Sequence, residues 1–189
     1  MFRCVARLRT QHPTIAWYAA FGDEPPELHH IMRNAQRYTS SHPIIIPWTL
    51  NEQPATTHEW LLRATVTDTL GSHPLLHDIV VQRANEAHYL RSPSAYHEHR
   101  ARTIFVGDTH TVTPSIPHQQ LADIVAQSDS YQDDVILQPV ALSQNDPLIH
   151  AITHQTARGM PLERFGVGRA VEYDRRLLHI VDDMVRPYR

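Results

Sequence analysis

Apolar residues in this chain come in short runs, none longer than a few positions. A bilayer-crossing helix needs about 20 apolar residues in succession, so the sequence predicts no membrane insertion. The 189 residues are 41% apolar and 20% charged, enough Val, Ile, Leu and Phe for one core of ordinary size and too many for disorder. Arg3, Arg7 and Arg9 precede a short mixed stretch at residues 13–21 that does not read as a signal peptide. The expected location is cytoplasmic.

Periodicity divides the chain. Leu28, Ile31, Met32 and Ala35 share one helical face, which predicts a helix over residues 27–38. His42-Pro43 stops it, because a residue before proline avoids the helical region. The first 47 residues read as an extension with this one helix, followed by the extended piece Ile44-Ile45-Ile46, and residues 48–189 read as a single domain. Short helices are expected at 57–62 and 67–70. Ile79-Val80-Val81 is β-branched and predicts a strand over 78–83. Residues 103–106 and 109–116 read as a hairpin turning at Gly107-Asp108. Helical spacing returns at 117–126, residues 135–142 stay ambiguous, and Pro147 opens a helix over 147–156. A last hairpin is expected from 169–173 and 178–185, turning at Asp174-Arg175. The expected fold class is therefore α+β, a mainly antiparallel sheet with helices packed on one face.

All 17 basic residues are arginine. Lysine Schiff bases and the P-loop lysine are excluded. Arginine remains as the group that holds carboxylates or phosphates through paired hydrogen bonds. The only cysteine is Cys4, which rules out intramolecular disulfides and cysteine zinc sites. The formal charge of −3 and the lack of a basic stripe give no case for nucleic acid.

Fifteen histidines create several ligand-like spacings: His73/His77, His97/His99 and His150/His154. Pro74 breaks the first pair, and no acidic residue accompanies the last. Asp108-Thr109-His110 follows a strand, but the companion motifs of a metallophosphatase are missing, so a turn explains it. Gly166 and Gly168 lie in a segment like a pyrophosphate-cradling loop, with too little chain beyond, and read as a turn. No nucleophile elbow occurs. The sequence predicts no metal and no cofactor; a histidine-dependent metal protein is the weakest alternative, with His150/His154 as its pair.

One ordered set of motifs covers residues 48–189. Trp48 precedes Glu59-Trp60-Leu61-Leu62 and then Thr65-Val66-Thr67-Asp68-Thr69-Leu70. Ile79-Val80-Val81-Gln82-Arg83 comes next, and Arg102 opens Thr103-Ile104-Phe105-Val106, leading to Thr113-Pro114-Ser115-Ile116-Pro117. Pro147-Leu148-Ile149 starts a helix, and Leu177-Leu178 leads through Asp182-Asp183 to Pro187. In this order the motifs resemble the chorismate lyase family, which eliminates pyruvate from chorismate to give 4-hydroxybenzoate for ubiquinone biosynthesis. Ile149 stands where that family has glycine, and an aspartate stands where it has a terminal glutamate.

The resemblance implies a cofactor-free carbon–oxygen lyase acting on a small dicarboxylate. Arg102 would anchor the substrate, and Asp183 (or Asp182, as the register is open) would act as the acid. Val66 and Leu148 would line the pocket beside Arg102 and Asp183. A small-carboxylate-sensing or interaction module without catalysis is the alternative.

Overall fold

The computed structural model describes residues 1–20, 25–38, 42–50, 64–91, 101–107, 115–121, 123, 134–142, 146–159, 165–172 and 174–188. The expected helix at 57–62, Asp108-Thr109-His110, the His97/His99 pair and all of the expected strand 109–116 but its last two residues lie outside them.

In chain order the elements are helix α1 (Phe2–Gln11), α2 (Leu28–Tyr38), strands β1 (Ile44–Ile45) and β2 (Thr65–Val66), and α3 (Pro74–Arg91). Then follow β3 (Ala101–Val106), β4 (Asp134–Pro139), α4 (Pro147–Gly159), β5 (Phe165–Val167) and α5 (Arg176–Val185). Helices with small sheets are as expected; the pairing is not. β1 pairs with β2, and β3–β4–β5 form a three-stranded sheet, and both sheets are parallel. The expected antiparallel sheet is thereby corrected. Even Ile116, placed on the return arm of a hairpin by the sequence, bridges Val106 in the parallel sense.

Two helices occupy segments with a strand-like sequence. In α3, Leu76, Ile79, Val80 and Ala84 are buried, the i, i+3, i+4, i+8 stripe of a helix face. β-branched side chains lower helix propensity only slightly, and burial overrides that. Pro74 sits at the first position of α3, where its missing N–H is no loss, and the backbone N–H of Leu75 donates to His73 Nδ1 at 3.3 Å. In α5, Leu177, Leu178, Ile180, Val181 and Val185 are buried. The last hairpin is thus a helix, and Asp174-Arg175 is its entry rather than a β-turn. Gly166 and Gly168 likewise belong to β5 and its exit, not to a turn before a hairpin.

Helices cover both faces of the β3–β4–β5 sheet, not one. Phe105 and Val140 pack with α3, α5 and Leu8 of α1 in one apolar cluster. Ile104, Val106, Val135 and Leu137 pack with Leu148, Ile149 and Ile152 of α4 in a second. Alternation along a strand produces this division, since successive side chains point to opposite faces. A central strand buried on both faces reads as a near-continuous apolar run, which explains why Val135-Ile136-Leu137 showed no helix or strand period.

Two close approaches tie distant segments together. Gly71 lies against the Leu50 carbonyl, where a Cβ would sit 1.8 Å from the oxygen. Gly168 lies against the buried Gln138 side chain, where a Cβ would sit 1.8 Å from Oε1. Gln138 Nε2 donates to the carbonyls of Pro139 and Arg169, both at 2.9 Å, and so fixes the chain leaving β5.

Candidate functional site

The residues expected to form one pocket are dispersed. Arg102 is exposed on β3 and, by alternation, shares the face of Ile104 and Val106, toward α4. Asp183 is exposed on α5, which packs on the opposite face with α3. The sheet therefore separates Arg102 from Asp183. Asp183 accepts a contact from Arg186 Nη2 at 2.6 Å on its own turn, and His73 Nε2 lies 4.0 Å away. Val66 is half-buried on β2, and Leu148 is core packing in α4.

A different set converges. Arg175, Leu178, His179 and Asp182 follow an i, i+3, i+4, i+7 stripe on one side of α5. Arg7 and Gln11 lie one turn apart on α1, and His12 caps that helix, its N–H donating to the Leu8 carbonyl at 2.8 Å. The seven side chains line a groove of about 610 Å³ between the two helices. Its floor is apolar, because Leu178 packs into the core beside Leu8.

His12 is held in place from both sides. Its ring lies 6.2 Å from that of Trp17, and Arg9 Nε and Nη2 donate to the Trp17 carbonyl at 2.8 and 2.7 Å. His12 Nε2 stands 2.9 Å from Asp182 Oδ1. The two atoms are in ion-pair contact but poorly aligned for a hydrogen bond, since Nε2 has no partner of good hydrogen-bond geometry among the described residues. Among those residues neither Arg7 nor Arg175 forms an ion pair. Two arginines and one aspartate thus line the groove, and its formal charge is positive.

The next arginine is spent otherwise. Arg176 Nε and Nη2 donate to Asp174 Oδ1 and Oδ2 at 3.0 and 2.8 Å, and the Arg176 backbone N–H donates to Oδ1 at 2.9 Å. Arg83 of α3 adds Nη2 at 3.4 Å and bonds Glu86 through Nη1 at 2.7 Å. Burial pushes the Asp174 carboxyl up, but the bonds from Arg176 and the charge of Arg83 outweigh it and leave the group below its ordinary value. Glu86 is lowered in the same way, burial being overcome by Arg83 and Gln82. This network joins α3 to α5, and within it Arg83 Nε is buried without a hydrogen-bond partner among the described residues. Burial raises the Cys4 thiol above its ordinary value, which disfavours the thiolate, and its side chain packs against the core.

Among the described residues, neither His73/His77 nor His150/His154 falls in a group of three converging ligand atoms. His150 and His154 are exposed on α4, and His73 is taken up at the start of α3. No helix among the described residues is long and apolar enough to cross a membrane. Compared with family models, curated proteins and solved structures, the chain matches none.

Proposed function

We propose that the groove between α1 and α5 binds a small carboxylate anion. The carrying observation is the placement of Arg7 and Arg175 without ion-pair partners among the described residues, around an apolar floor, with His12 and His179 beside them. A guanidinium holds a carboxylate through two parallel N–H bonds, and the Leu178 floor suits the hydrocarbon part of such a ligand. This reading keeps the small-carboxylate partner expected from the sequence and moves its anchor from Arg102 to Arg175 and Arg7.

A second reading is favoured by the 2.9 Å contact of His12 with Asp182. An imidazole in contact with a carboxylate beside a bound anion is near enough to move a proton, and an elimination of the chorismate lyase type would use it with Asp182 in the role expected of Asp183. Titration of the purified full chain with chorismate, followed by calorimetry and by the ultraviolet absorption of 4-hydroxybenzoate, tests both. Heat of binding that Arg175→Ala weakens about tenfold supports the anion reading. The appearance of 4-hydroxybenzoate, abolished by His12→Ala, supports the second. Absence of binding to chorismate and to succinate overturns both.

A further inference from the structure

We propose that Glu27, His29 and His30, at the start of α2, hold a divalent first-row metal ion of the zinc type. His29 Nδ1 lies 3.0 Å and His30 Nδ1 4.0 Å from the same oxygen, Glu27 Oε2. One donor atom from each of the three residues falls within 4.8 Å of the other two. Among the described residues no other group of three potential ligands converges in this way.

The spacing suits an ion. Zinc takes His nitrogens and carboxylate oxygens at about 2.0–2.2 Å in a tetrahedron, whose edges are then roughly 3.3 Å long. The two His–Glu separations straddle that edge, so small side-chain adjustments suffice. The two imidazole rings already stand side by side, with centroids 4.0 Å apart and planes tilted by 48°. The donors span four consecutive residues, so little chain must be ordered to bring them together. The side chains are 32%, 42% and 61% exposed in the order Glu27, His29, His30, which leaves an entry path and a fourth position for water.

The donor chemistry narrows the ion. Two imidazoles and a carboxylate, with no thiolate in reach, suit zinc, cobalt, nickel or copper rather than calcium or magnesium, which prefer all-oxygen shells. The start of a helix disfavours a cation, but by only roughly two- to fivefold in affinity. The Glu27 carboxylate opposes that cost directly. No part of this argument depends on the groove between α1 and α5.

Stripping the full chain with a chelator, dialysing it, and titrating with Co²⁺ tests the assignment, because tetrahedral Co²⁺ gives visible absorption that Zn²⁺ then displaces. One equivalent is expected to bind with that signature. Glu27→Gln and the double change His29→Asn/His30→Asn should each weaken it at least tenfold. His150→Asn/His154→Asn should leave it unchanged. Zn²⁺ should also raise the Tm of the parent chain, and not that of the Glu27→Gln variant. Binding lost only with His150 and His154, binding equal in all variants, or no such signature in the parent chain would overturn the proposal.

Discussion

At the start of α5 the guanidinium of Arg176 is locked on Asp174, while that of its neighbour Arg175 lines the open groove toward α1. Two adjacent residues of one type thus serve opposite ends. One saturates a carboxylate that is only 10% exposed, and the other stands beside a carboxylate already shared with a histidine. The contrast separates stability from binding by location. Around Asp174 every bond closes on the protein itself. Around Asp182 the groove is lined by Arg7 and Arg175, the two guanidiniums that the proposed anion would use.

The largest effect should come from breaking the closed end. Asp174→Ala removes the side chain that accepts the Arg176 backbone N–H, strands the Arg176 guanidinium and leaves Arg83 with Glu86 alone, so about 2–4 kcal/mol of stability should be lost. At this chain length that corresponds to a Tm fall of roughly 4–16 °C, measurable by calorimetry. Anion binding in the groove should persist in whatever fraction stays folded. A Tm unchanged by this substitution would show that the network contributes nothing.

Gly168→Ala comes next. Its Cβ would meet the Gln138 amide, itself held by two carbonyls, and overpacking of this kind costs about 1–3 kcal/mol. Urea unfolding measures it, and a neutral result would mean that the amide can turn away.

The open end should behave the other way. Arg175→Ala should leave the urea midpoint within about 0.5 kcal/mol of the parent while weakening anion binding about tenfold. A stability loss as large as that of Asp174→Ala would erase the distinction between the two ends.

Acid gives a smaller, graded test. Asp174 and Glu86 have carboxyls lowered by folding. Such groups contribute stability above their unfolded values, and that contribution is lost as pH falls through their folded ones. Unfolding free energy should therefore decline below the ordinary carboxylate range, and less steeply in Asp174→Asn. Arg102→Ala should have the least effect of all, within about 0.5 kcal/mol on stability and without effect on binding, since Arg102 is exposed across the sheet from the groove.

What the sequence made legible follows from the reach of each signal. The helix of Leu28, Ile31, Met32 and Ala35, the strand around Ile104 and the Pro147 helix start were all readable, because period and punctuation agreed there. Asp146 even completes the last, its Oδ1 accepting from the Leu148 N–H at 2.9 Å. The α5 groove was not read, although Arg175, Leu178, His179 and Asp182 carry helical spacing. The β-branched Ile180 and Val181 favour a strand, and Asp174-Arg175 suits a β-turn as readily as the entry to a helix. Parallel pairing left no local mark either, since the partners of each strand lie far along the chain. Glu27, His29 and His30 were legible as a helix start but not as a cluster, because their convergence depends on rotamers.

The parallel pairings also carry a kinetic consequence. Ile44 finds Thr65, Ala101 finds Asp134, and Val135 finds Phe165, and no described strand pair is joined by a tight turn. Strand pairs of this kind must close long loops before their contacts reward it, and high contact order slows folding into the range of about milliseconds to seconds. While the ends search, the apolar run Val135-Ile136-Leu137 stays uncovered. Refolding should therefore grow less efficient as protein concentration rises, with aggregation beginning at the strand that ends up most deeply enclosed.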